Sequence, residues 1–85
     1  MKVRTLSKFD RQYKKLPNAI KDIAEKKFDI FLSDPFDSRL KTHKLTGALV
    51  GFLAFSVNQD YRIIFDFDEK GDARFYQVGT HNIYE

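Results

Sequence analysis

The hydrophobic rhythm of this 85-residue chain changes once, near residue 48, and that change limits what it can fold into. Before it, apolar residues recur at helical spacing. Phe9, Tyr13 and Leu16 stand at i, i+4 and i+7, and a second stripe runs through Ile20, Ile23, Ala24, Phe28 and Phe31. Ile30 and Leu32 widen that second face, as expected if its flank also meets something. Ser7 stands three residues before Asp10, a start resembling a capping box. Pro17 ends or bends the first helix and Pro35 stops the second. From Ala48 the period is two. "ALVGFLAFSV" is apolar on both parities, the mark of a strand covered on both sides, with Gly51 as a bend or bulge. "YRIIFDF" alternates Tyr61, Ile63, Phe65 and Phe67 against Arg62, Ile64, Asp66 and Asp68, and "ARFYQVG" follows after the turn "DEKGD". Such consecutive hairpins predict an antiparallel meander. "KVRT" near the start reads as an edge strand that can join it. Neither helix is stable alone in water, so both need a sheet to cover. The expected fold class is α+β: one domain over residues 1–85, with a helical hairpin on one face of a mainly antiparallel four-stranded sheet. The other face is left partly open. "PFDSRLKTHKLTG" has no period and reads as a connector anchored by Leu40 and Leu45.

Composition excludes several functions. Without cysteine there is neither a disulfide framework nor a thiolate metal site. Two histidines, His43 and His81, are too few for a histidine-built zinc site, and no carboxylate stands near them at ligand spacing, so no metal or cofactor is expected. No apolar run approaches the ~20 residues that span a bilayer. The first ten residues lack the apolar segment of a secretory signal. The chain therefore reads as an intracellular, cytoplasmic protein without a membrane partner. Its charge is uneven: residues 1–47 hold twelve Lys/Arg against six Asp/Glu, and residues 48–85 hold three against six. The basic half permits a polyanion surface without showing one.

Several residues have either a structural or a chemical reading. Arg62 sits mid-strand, where a guanidinium needs a partner. It is either an ion-pair partner of Asp60 or Asp66, or an anion site whose planar fork suits phosphate. His81 follows the last strand at Gly79, as a surface histidine or as a proton-transfer group. Tyr84 either fills a core slot or meets a nucleotide. His43 lies in the densest basic stretch, with Arg39, Lys41 and Lys44, and has the same two readings as His81. Asp60 is either a turn residue or a group that orients Arg62. Taken together they suit one chemistry: RNA carries its own nucleophile, so a histidine acid or base and a cation over the phosphate suffice to cleave it.

The ordered pieces "DPFDSRLKTHKLTG", "FSVNQDYRIIF" and "VGTHNIY", with "FDRQYKKLP" before them, resemble the RelE/ParE superfamily of toxins from type II toxin–antitoxin modules. The likeness covers nearly the whole chain. It implies a microbial-ribonuclease-like fold, a helical hairpin on a twisted antiparallel sheet. It also implies a metal-independent endoribonuclease that cuts messenger RNA in the ribosomal A site. The partners it implies are a cognate antitoxin, the ribosome and, through the antitoxin complex alone, operator DNA. The "G-T-H" ending is most similar to the YafQ-like branch. That resemblance puts catalytic roles on His81 and His43, an aspartate on Asp60, the strand arginine on Arg62 and the terminal aromatic on Tyr84. Arg39, Lys41 and Lys44 would grip ribosomal RNA. Departures accompany it: Ser56 stands where that branch has a third histidine and Gln77 where it has an arginine, and Leu53 and Phe55 match positions that are lysines in RelE-like members. Two other functions accompany the resemblance: ParE-like relatives poison DNA gyrase, and a member without nuclease activity would only bind its antitoxin or nucleic acid.

Overall fold

A computed structural model describes residues 1–84. The sheet comprises β1 (Val3–Thr5), β2 (His43–Lys44), β3 (Leu53–Ser56), β4 (Arg62–Phe67) and β5 (Ala73–Gly79), in the spatial order β1-β5-β4-β3-β2. β1 runs parallel to β5, and every other pair is antiparallel. The helices α1 (Ser7–Lys14) and α2 (Asn18–Ser33) cover one face of this sheet. Three short 3-10 turns, Ser38–Leu40, Gly47–Leu49 and His81–Tyr84, complete the path.

The helix boundaries follow local chemistry. Ser7 is the first helical residue of α1 and not its cap. The cap position is Leu6, which has no side-chain acceptor, and the Asp10 carboxylate instead lies in the first turn, where the helix dipole favours it. Pro17 caps α2, and its carbonyl accepts from the amides of Ile20 and Lys21, both at 3.0 Å. Asp34 adopts extended backbone ahead of Pro35, as the proline ring demands.

The core is aromatic. Phe31, on the buried stripe of α2, is fully enclosed, with its ring centroid 4.9 Å from Phe55, 5.0 Å from Phe65 and 5.2 Å from Phe75. Phe31→Ala would open a cavity among three rings and is expected to cost about 3–5 kcal/mol. A chemical denaturation curve checks this: the midpoint falls sharply, whereas loss of less than about 1 kcal/mol would contradict the packing. Leu32, on the widened flank, is half exposed and borders an apolar groove with Val3, Phe9, Tyr13 and Phe28, so nothing among the described residues covers it.

Two departures from expectation lie between residues 41 and 52. The sheet has five strands, not four, because the stretch read as a connector contributes β2. A two-residue strand displays no period, and its membership comes from pairing His43 with Ala54 and Lys44 with Leu53. The long strand expected from Ala48 begins only at Leu53. Gly47 (φ +67°) and Gly51 (φ +95°) take left-handed backbone and form a loop that leaves Val50 exposed. From Ala54 onward both faces are buried, as the unbroken apolar run predicts. Leu40 is fully buried, and Leu45 is half-buried.

β5 carries an irregularity absent from the alternation of its sequence. Phe75 faces Phe65 and Gln77 faces Ile64, so β5 advances two residues where β4 advances one. Tyr76 is the extra residue of a β-bulge. The bulge also switches which parity of β5 points inward, from Ala73 and Phe75 to Val78.

Candidate active site

Strand register sorts the candidate residues by face, because paired residues project to the same side. Phe55, Ile63 and Phe65 point into the core under the helices. Their neighbours Ala54, Ser56, Arg62, Ile64 and Asp66 therefore project to the side opposite the helices, where Ala54, Ser56 and Ile64 are themselves buried. His43 pairs with Ala54, and Ser56 pairs with Arg62, which pairs with Gly79. His43 and Arg62 thus share the open side.

The turn His81–Tyr84 closes this face at one end. It folds back because Gly79 has no side chain: a Cβ there would lie 2.6 Å from Cγ2 of Ile83, the buried residue of the turn. The need for glycine at 79 is close packing and not an unusual backbone angle. The Ile83 amide donates to the Thr80 carbonyl at 3.1 Å, and the Thr80 hydroxyl donates to Asn82 Oδ1 at 2.9 Å. Gly79→Ala is expected to dislodge this turn while β5 still forms. Its signature is a changed environment for Tyr84 in aromatic NMR spectra with the sheet amides unmoved; an unchanged Tyr84 signal would contradict it.

Tyr84 links the other groups. Its ring centroid lies 5.8 Å from that of the exposed His81. It shares with His43 a hollow of about 250 Å³, also lined by Leu45, Thr46, Ala48 and Leu49. Burial raises the Tyr84 phenol above its ordinary pKa, and the nearby Arg62 charge opposes that rise. The phenol stays protonated at neutral pH and is available as a hydrogen-bond donor. Arg62, Tyr84, His43 and His81 are therefore grouped on the open face, and neither histidine is sealed beneath the helices.

Arg62 is held by the backbone. Its Nη1 donates to the carbonyls of Asn58, Gln59 and Tyr61, at 2.6, 3.1 and 3.1 Å. Among the described residues neither Asp60 nor Asp66 pairs with it: Asp66 is taken by Arg74, and Asp60 is an exposed turn residue whose amide donates to Asn58 Oδ1. The orienting group is the β3–β4 turn, nucleated by the Asn58 side chain, which also accepts from the Tyr61 amide at 2.8 Å. Asparagine is a common Asx-turn residue, but nothing in the sequence ties Asn58 to Arg62. The remaining edge of the guanidinium can meet an anion.

His43 is set by an unusual neighbour. Its Nδ1 lies 3.0 Å from the carbonyl oxygen of Lys41. A carbonyl can only accept, so Nδ1 carries the hydrogen and Nε2 is left as the basic nitrogen. Lys41 adopts a left-handed φ of +53°, uncommon for a side-chain-bearing residue, and this conformation presents the carbonyl.

The basic residues divide. Lys41 and Lys44 are exposed. Arg39 is clamped by Asp37 through two contacts of 2.9 Å, and this hydrogen-bonded guanidinium pulls the Asp37 carboxyl down to about 2. Above strongly acid pH the pair is neutral overall, so Arg39 offers less to a polyanion than its sequence context suggests. The departures at Leu53 and Phe55 also change meaning. Both belong to the helix side, Phe55 fully buried, so the β3 positions that face the site are Ala54 and Ser56. Neither is a cation. Gln77 is tied to α1, its Oε1 accepting from Gln12 Nε2 at 3.4 Å. Among the described residues no three His, Asp or Glu side chains gather as a metal site, and no helix is long and apolar enough to cross a membrane.

No protein-family model and no curated protein matches this sequence. Solved structures do match its shape. YafQ from E. coli strain BL21(DE3) superposes with a TM-score of 0.79 at 16% identity, over 96% of this chain and 94% of that one. A YoeB/ParE toxin from Agrobacterium tumefaciens gives 0.79 at 14% identity, over 95% and 99%. A chain of the RelBE2 toxin–antitoxin complex from Mycobacterium tuberculosis gives 0.75 at 21% identity, over 94% and 96%. With its helical pair on one side of a five-stranded, mostly antiparallel sheet, this chain has the fold of the RelE/ParE toxins.

Proposed function

We propose that this chain is the toxin of a type II toxin–antitoxin module and that it cuts messenger RNA on the ribosome without a metal. The observation that carries the proposal is the grouping of Arg62, Tyr84, His43 and His81 on the one sheet face the helices leave open. The fold shared with YafQ and with a chain of the RelBE2 complex supports the toxin role and a cognate antitoxin as partner.

In this reading Nε2 of His43 takes the proton of the RNA 2′-hydroxyl as that oxygen attacks phosphorus. The free edge of Arg62 stabilises the extra charge on the phosphorane. His81, as imidazolium, gives its proton to the departing 5′-oxygen. The O2′–P bond forms and the P–O5′ bond breaks, leaving a 2′,3′-cyclic phosphate and a 5′-hydroxyl. Tyr84, kept neutral, donates to a phosphate oxygen or packs on the nucleotide. Asp60 has no place in this scheme beyond its turn. Lys41 and Lys44 supply the exposed positive charge beside His43, and their contribution to RNA binding falls with salt.

Primer extension on translated messages after brief induction tests the proposal. New 5′ ends within codons are expected. Intact messages with relaxed, gyrase-deficient DNA would assign the chain instead to the gyrase-poisoning function.

A further inference from the structure

The open face carries a second cluster that the cleavage scheme does not use. Phe52 precedes β3 and Tyr76 lies in β5, yet their ring centroids are 4.9 Å apart at 87°, so the rings meet across the intervening β4. Beside them Arg74 grips Asp66 with two contacts of 2.8 Å, and the Tyr76 hydroxyl donates to Asp66 Oδ2 at 3.2 Å. The Arg74 guanidinium lies 6.0 Å from the Tyr76 ring centre. Beneath this bridge Ile64 is 1% exposed although it stands on the uncovered side. Sealing Ile64 accounts for the inner surface of the rings. It does not account for the outer one, because Phe52 and Tyr76 are each only half-buried among the described residues.

Three features of the cluster suit a flat ligand with a π-face. The β4–β5 register shift places a bulge at Tyr76, and bulges beside sites re-aim side chains. The bidentate ion pair holds the Arg74 guanidinium at a fixed orientation beside an aromatic ring, as in base-stacking surfaces. The distance is also right. Asp66 is four residues along β4 from Arg62 and Ile64 is two, and each two-residue step is roughly 7 Å. The rings therefore sit one to two such steps along β4 from the backbone of Arg62, within reach of a few nucleotides of extended strand.

We infer that Tyr76, Phe52 and Arg74 form a stacking platform for a nucleobase flanking the phosphate held at Arg62, so that single-stranded RNA lies along β4 on the open face. The inference rests on the nuclease reading for its register but not for its chemistry.

NMR titration of the full chain at low ionic strength tests it, with hexauridine and with the same sugar–phosphate hexamer lacking bases. Stacking is worth about 1–3 kcal/mol per base, so the abasic hexamer is expected to bind roughly tenfold more weakly. Hexauridine alone should shift the Tyr76 and Phe52 ring protons upfield. Tyr76→Leu keeps an apolar cover over Ile64, and with it the two hexamers should bind alike; Tyr76→Phe should preserve the difference. Because the comparison is between two ligands on one variant, lost stability does not imitate it. Equal binding of both hexamers to the native chain, or ring signals that do not move, would overturn the platform. If Arg62→Ala weakens both hexamers while Tyr76→Leu changes neither, the platform falls and the phosphate site stands. If base-dependent shifts persist in a chain that cuts no message, the platform stands and the nuclease reading falls.

Discussion

His81→Gln is expected to slow cleavage of an A-site message by about 10²- to 10⁴-fold, the usual worth of a positioned proton-transfer group. Glutamine keeps hydrogen-bonding capacity and similar volume but has no titratable nitrogen. The His81 side chain is exposed and contributes no buried packing, so the variant should unfold at the native denaturant midpoint. The ring beside it, Tyr84, should keep its environment, since the turn is held by Ile83 against Gly79 and by the Thr80 contacts. Single-turnover cleavage on programmed ribosomes, with a denaturation curve on the same preparation, separates the two effects. Unchanged cleavage would remove His81 from the mechanism. In cells the variant should no longer arrest growth.

Arg62→Ala is expected to lower cleavage by about 10²- to 10³-fold, the scale for losing one preorganised charge-stabilising donor. Here structure and chemistry are coupled, because Nη1 also satisfies three carbonyls of the β3–β4 turn. Some stability will be lost with the alanine. Arg62→Lys resolves the ambiguity: lysine retains a cation but not a planar fork. Partial recovery of rate with Arg62→Lys marks an electrostatic role at the phosphate. Recovery of stability without recovery of rate marks a need for the fork. Equal, native rates for both variants would contradict the placement of the phosphate.

The parts of this molecule legible in its sequence are those whose information is repeated. The α2 stripe through Ile20, Ala24, Phe28 and Phe31 states the same period over about three turns, and the structure places Ala24 and Phe31 in the core accordingly. Ile63 and Phe65 announce an inward face in the same way, and the open opposite face follows from having only two helices to cover a sheet. Single steric events left no such trace. The contact of Ile83 with Gly79 brings Tyr84 beside His81, but it is a meeting of two residues whose spacing has no period. β2 is too short to alternate, and the bulge at Tyr76 is a mismatch between strands that neither strand shows alone.

The candidate site divides along the same line. His43, Arg62, His81 and Tyr84 could be named because their chemistry is distinctive in any setting. Their supports could not. Sequence adjacency suggested Asp60 for Arg62, whereas the turn carbonyls around Asn58 hold it. Nearness of charge suggested Arg39 for RNA, whereas Asp37, two residues away, neutralises it. The carbonyl that sets the His43 tautomer belongs to Lys41, a residue distinguished in the sequence only by its charged side chain.

The most direct measurement of the central claim is the chemistry of the cut ends. Purified chain is added to ribosomes holding a defined codon in the A site, and both product termini are analysed. Two histidines and an arginine acting on a phosphate predict a 2′,3′-cyclic phosphate on one fragment and a 5′-hydroxyl on the other. An intact message, or ends bearing a 5′-phosphate and a free 3′-hydroxyl, would contradict the account.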